Sequence, residues 1–138
     1  MKYLKGSILS GNFTGILIET DVLIQHLTVE QNTGSDLEFL MTRYTCFTTV
    51  INSSEVYFAC KNLEEKEIAD KLLRSLKVLG INSRYSLDVF SVRGRVENIR
   101  NALIFVLAEK NRLPVVTYKV DKFDNINTGV FTPDELRG

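Results

Sequence analysis

Apolar and polar positions along this chain fall into blocks that alternate between strand and helix periodicity. Thr14 to Glu19 contains the unbroken run Ile16-Leu17-Ile18, the pattern of a strand buried on both faces of a parallel sheet. Asp21 follows as a cap for a short first helix through Val22-Leu23-Ile24, and Ser35 to Arg43 reads as a second helix with Ser35 or Asp36 at its cap. Thr45 to Ile51 is β-rich. Asn52, Ser53 and Ser54 then read as capping residues for a third helix with Glu55 in its first turn. Glu64 to Leu79 has the clearest helical period, with Ile68, Leu72, Leu76 and Leu79 on one face and Gly80 as its stop. Val96 to Lys110 repeats it with Ile99, Leu103, Val106 and Leu107 inward, and Pro114 to Tyr118 and Val130-Phe131 complete the strands. Ile81 to Arg95 has no clear period.

This alternation predicts an α/β fold, a three-layer α/β/α sandwich around a central, mainly parallel sheet. The 138 residues suit one domain, 14–138, preceded by an N-terminal extension, 1–13. Hydrophobic residues make up 44% of the chain and charged residues 25%, enough apolar surface for a full core. No apolar stretch reaches the length of a signal peptide or a bilayer span, and the two cysteines, Cys46 and Cys60, read as small buried hydrophobes. A reducing, cytoplasmic location with no membrane role is expected.

Charge is uneven. The net charge is zero, but residues 1–70 carry five Lys/Arg against ten Asp/Glu and residues 71–138 carry twelve against seven. One half is suited to a cation and the other to phosphates, with solvated helix surface as the ordinary explanation for any single charge.

Ligands of open α/β sheets bind beyond the carboxyl ends of the strands. Glu19 closes the first strand, Asp21 follows it, and Glu55 lies one turn into the helix after the second strand. If those strands are neighbours, Glu19 and Glu55 share a cleft, and such carboxylates suit Mg²⁺ or Mn²⁺ in phosphodiester chemistry. A lone acid at a helix start is otherwise a capping or dipole partner.

The order of motifs resembles the PIN domain family, the VapC-like toxin ribonucleases. Ile16-Leu17-Ile18-Glu19-Thr20-Asp21-Val22-Leu23-Ile24 is similar to its opening, a strand followed by Asp-Thr-Asn/Asp-Val-Leu-Ile. Thr48 to Tyr57, containing Glu55, is similar to the second motif, Ile99 to Ile104 to the third, and Leu113 to Phe123 and Phe131 to Leu136 to the closing segments. The resemblance implies a metal-dependent endoribonuclease acting on single-stranded RNA, held in check by a small antitoxin protein and forming a homodimer. It assigns Glu19, Glu55 and Asn101 to the catalytic metal site, with Mg²⁺ or Mn²⁺ as cofactor.

Three positions depart from the family pattern. Glu19 replaces an Asp, Asn101 stands at the third acidic position, and Lys119 sits at or near the fourth. These departures set a second reading beside the first, a catalytically degenerate PIN domain that binds RNA or protein. Glu97 and Asp121 are candidate substitute ligands, the ordinary reading of each being an exposed charge. Arg93, Arg95, Arg100 and Lys119 are the candidate RNA contacts, with ion pairing as the alternative for the arginines. Thr20 and Thr117 are placed to orient ligands or cap turns. His26, the only histidine, is expected at the surface without a catalytic task. A dehalogenase-like phosphatase is set aside because its nucleophilic Asp is replaced by Glu19, and a receiver domain because the second strand does not end in Asp.

Overall fold

Ile16, Leu17 and Ile18 are fully buried and point alternately to the two sides of a sheet: Ile16 and Ile18 enter one core, Leu17 the other. That is the physical meaning of their unbroken apolar run, since a strand covered on both faces has no solvent side. The structure is a computed structural model and describes residues 13–29 and 34–138.

In chain order the strands are β1 (Gly15–Ile18), β2 (Thr45–Thr49), β3 (Lys77–Leu79), β4 (Val115–Val116) and β5 (Val130–Phe131). The helices are α1 (Thr20–Thr28), α2 (Asp36–Arg43), α3 (Val50–Ala59), α4 (Leu63–Arg74), α5 (Val89–Val92), α6 (Ile99–Lys110) and α7 (Pro133–Arg137), with 3₁₀ turns at Ser83–Asp88 and Val120–Phe123. The five strands pair in parallel in the order β3-β2-β1-β4-β5. One core joins Ile16 and Ile18 to Val22 and Leu23 of α1, Leu37 and Leu40 of α2, Val56 of α3, and Ala69, Leu72 and Leu73 of α4. The other joins Leu17 and Val115 to Val92 of α5 and to Ala102, Phe105 and Val106 of α6. The expected three-layer α/β/α architecture is therefore present. Among the described residues no helix is long and apolar enough to cross a membrane. The expected extension, residues 1–13, lies outside the described residues except for Phe13, whose ring stacks between Tyr44 and Phe131.

Several boundaries differ from expectation, each for a local reason. The first helix begins at Thr20, and its cap is Glu19, whose carboxylate accepts from Thr20 N at 3.2 Å; Asp21 lies inside the helix. The third helix starts at Val50, five residues before Glu55. There the Thr49 hydroxyl accepts from the amides of Ile51 and Asn52 while Asn52 Oδ1 accepts from Thr49 N, a reciprocal cap that ends β2 early. The expected long helix to Leu79 stops at Arg74, and Lys77–Leu79 forms the edge strand β3 beside β2. Leu76 belongs to the core in either conformation, so the apolar spacing did not separate helix from strand. The last long helix starts at Ile99, capped by Asn98, and Ile99 is exposed; Ile68, expected inward, is half exposed.

Candidate functional site

Parallel pairing aligns the carboxyl ends of β1 and β2, because Leu17 lies opposite Phe47. Glu19 therefore emerges beside the start of α3, and Asn52 and Glu55, one turn apart, present the same face of that helix to it. From the other side comes the N-terminus of α6, which carries Arg100 and Asn101 in its first turn. Four elements thus meet at one end of the sheet.

Arg100 fills the meeting point. Its Nη1 donates to Glu19 Oε2 at 2.7 Å and its Nη2 to Glu19 Oε1 at 2.7 Å, a two-pronged carboxylate pair. The same guanidinium donates to Glu55 through Nη2 at 2.6 Å and Nε at 3.1 Å, to Asn101 Oδ1 at 2.9 Å and to Thr20 Oγ1 at 3.2 Å. Thr20 in turn donates to Glu55 Oε1 at 2.5 Å. Asn52, fully buried, donates to Glu19 Oε1 at 2.7 Å and to Thr20 Oγ1 at 2.9 Å, while its own carbonyl is held by Thr49. Lys122 approaches Glu19 Oε2 at 3.5 Å.

Burial sets the energetic scale. Glu19 has no solvent-accessible surface, and burying a carboxylate without a cation and hydrogen bonds beside it is costly. Arg100 supplies both and keeps 23% of its side chain exposed. Burial pushes the Glu55 carboxyl up, but the hydrogen bonds from Arg100 and Thr20 and the charges of Arg100 and Lys122 outweigh it, holding the group below its ordinary value. For Arg100, burial works against the charge and is overcome by Glu19 and Glu55, so its guanidinium is bound to its proton more firmly than usual.

The expected site residues separate into two groups. Glu19, Glu55 and Asn101 converge, as does Thr20. Arg100, expected to face RNA, turns inward onto the acids, because the first turn of α6 points into the cleft. Asp21 turns away from the centre to the segment that follows β4, where its Oδ2 accepts from Thr117 Oγ1 at 2.7 Å and Tyr118 N at 3.0 Å. Glu97 precedes α6 and its cap Asn98, so it shares no helix face with Asn101. Glu97 and Asp121 are exposed, and they line an open cleft of about 750 Å³ together with Arg95, Lys119 and Lys122. Arg95 lies over the Phe105 ring at 4.8 Å, and Arg93 stacks on exposed Phe90 at 4.0 Å. His26 is half-buried, its Nδ1 2.6 Å from Ser35 Oγ, so it supports the cap of α2.

Two residues of the centre, Asn52 and Lys122, are not found by sequence reasoning. Asn52 lies in the second motif and reads there only as a capping residue, though its amide has one end for the cap and another for Glu19. Lys122 lies beyond β4 in the 3₁₀ turn Val120–Phe123, and no spacing rule aims it at Glu19.

With Arg100 in place these residues do not fit a divalent metal ion. The carboxylate oxygens that would bind one already accept hydrogen bonds from the guanidinium, Asn101 contributes no charge, and Lys122 adds a second positive group. Formal charges of Glu19, Glu55, Arg100 and Lys122 cancel. Among the described residues, no group of three or more His, Cys, Asp or Glu is placed to hold a metal.

Neither a family model nor a curated protein matches the sequence. Solved structures do. The chain is similar to a toxin–antitoxin complex from Klebsiella pneumoniae, with a TM-score of 0.71 and 18% identity over 86% of this chain and 97% of that one. It is similar to VapBC2 from Rickettsia felis bound to a DNA fragment from their promoter, with a TM-score of 0.69 and 16% identity over 85% and 96%. DNA-bound VapBC from Salmonella typhimurium gives 0.67 and 17% over 88% and 98%. At these identities the likeness is one of fold, and it agrees with the motif order and the parallel sheet: the chain has the fold of a VapC-like PIN domain.

Proposed function

We propose that this chain is a PIN-fold module that acts by binding a small antitoxin-type protein, and that it does not cleave RNA by a metal-dependent route. The observation that carries the reading is the Arg100 guanidinium seated between Glu19 and Glu55, which leaves the centre neutral and its oxygens engaged. A protein partner is supported by the complexes of toxin with antitoxin among its structural neighbours. It is also supported by an open, largely apolar groove of about 510 Å³ on α3, lined by Val50, Ile51, Ser54, Glu55, Phe58 and Ala59. Phe58 is 94% exposed there, the kind of apolar surface that marks an interaction site. The same reading includes a homodimer and a cytoplasmic setting, in which Cys46 and Cys60 stay as the free thiols they are here.

A second reading, the metal-dependent endoribonuclease of single-stranded RNA, is favoured by one observation: Glu19, Glu55 and Asn101 meet at a common point. It requires Arg100 to leave that point. In it, Arg95 and Lys119 of the neighbouring cleft are the phosphate contacts.

Cleavage of a labelled single-stranded RNA in Mn²⁺, Mg²⁺ or EDTA separates the two. The binding reading expects no metal-dependent product from the natural chain. A product that needs metal and disappears in Glu55→Ala supports the nuclease reading instead.

A further inference from the structure

We propose that Arg100 is the residue that excludes a divalent cation from this centre by serving as the chain's own cation. The inference rests on the binding reading above in that both concern the same acids, but it is a statement about ion selectivity and not about RNA.

Six oxygen atoms from four side chains surround the guanidinium: both of Glu19 at 2.7 Å, those of Glu55 at 2.6 and 3.1 Å, Asn101 Oδ1 at 2.9 Å and Thr20 Oγ1 at 3.2 Å. Four of the six belong to two carboxylates, the hard oxygen donors through which a small divalent ion is held while it keeps several of its waters. Their inward orientation is only partly the work of Arg100. Asn52 holds Glu19 Oε1 and Thr20 Oγ1 from behind, and Thr20 holds Glu55 Oε1, so each of the two acids keeps one oxygen engaged on the site side when the guanidinium is removed. A planar, permanently charged group with five N–H donors engages all six by hydrogen bonding, Nη2 sharing its two among three oxygens, without the short bonds or the charge of a metal. Deleting it takes the formal sum over Glu19, Glu55, Arg100 and Lys122 from zero to −1 and opens the space between the carboxylates. Lys122, at 3.5 Å from a single oxygen, does not span both acids and cannot take over the role.

Mn²⁺ itself is the probe, read as loss of the free-ion electron paramagnetic resonance signal, with no RNA present. The natural chain, Arg100→Ala, Arg100→Gln and Arg100→Ala/Glu55→Ala are compared. The expected result is no uptake by the natural chain at millimolar Mn²⁺, and about one equivalent taken up at least tenfold more tightly by Arg100→Ala, lost again in the double variant. Arg100→Gln, which retains a polar side chain, gives the same answer should the alanine variant not fold. Stoichiometric Mn²⁺ binding by the natural chain overturns the inference, as do folded Arg100 variants that bind no more tightly than it. A natural chain that takes up Mn²⁺ without cutting RNA sinks this inference alone. A chain that excludes Mn²⁺ and shows no affinity for an antitoxin-type partner sinks the binding reading alone.

Discussion

Arg100 and Glu19 meet head-on, each guanidinium Nη 2.7 Å from one carboxylate oxygen, with Glu19 fully buried. Removing one member of such a pair strands the other in a poor solvent. Arg100→Ala is expected to cost about 3 kcal/mol, the low end for a broken buried pair because Arg100 is partly exposed. Arg100→Lys, unable to reach both acids bidentately, should recover only part of that. Urea denaturation of the three proteins provides the comparison, and an alanine variant as stable as the natural chain would show that the pair is not made.

Asn52 is the second support of Glu19. Asn52→Ala removes a donor to Glu19 and Thr20 and the acceptor that caps α3, so a loss of about 2 kcal/mol is expected. Asn52→Ser, which restores at most one of these bonds, should sit between the two in midpoint.

Acid should destabilise the fold through its depressed carboxyls, of which Glu55 and Asp36 are the two that burial opposes most. Glu55 is lowered by Arg100 and Thr20 against the opposing effect of burial, and Asp36 by Arg137 and Tyr118 against the same effect. The unfolded chain therefore takes up protons first. Their stabilisation is fully present above the ordinary values of 4.5 for Glu55 and 3.8 for Asp36, and is lost as pH falls through the lower folded values. Stability measured from pH 6 to pH 2 should fall along that limb, and Glu55→Gln should flatten it. An unchanged limb in Glu55→Gln would remove Glu55 from the explanation.

The Cys46 thiol is pushed up to about 12 by burial in β2. It should resist iodoacetamide at pH 8 until the chain unfolds, while the less buried Cys60 at the end of α3 is modified in the native state. Peptide mass spectrometry of native and urea-treated samples distinguishes them.

Phe58 contributes little to the fold, being almost wholly exposed. Phe58→Ser is expected to change stability by less than about 0.5 kcal/mol while weakening association with an antitoxin-type partner. Calorimetry with such a partner, beside a thermal melt of the variant alone, reads both effects.

The sheet was legible in the sequence because Ile16-Leu17-Ile18 and Val115-Val116 need two covering layers, which only a sandwich supplies. The convergence of Glu19 and Glu55 followed from parallel strand ends. The edge strand β3 was not legible, since Leu72, Leu76 and Leu79 satisfy helical spacing while three residues of sheet hydrogen bonding carry no period of their own. The inward turn of Arg100 was not legible either. An arginine beside Asn101 is equally suited to phosphate or carboxylate, and only the tertiary placement of Glu19 as a buried charge in need of a partner decides between them.

The most direct measurement is the side-chain ¹H–¹⁵N spectrum of Arg100, assigned by comparison with Arg100→Lys, with and without millimolar Mg²⁺. The expected result is a set of slowly exchanging, rotationally restricted guanidinium resonances that Mg²⁺ leaves in place. Guanidinium signals that exchange as fast as those of free arginine, or that Mg²⁺ releases, would contradict a centre closed by its own cation.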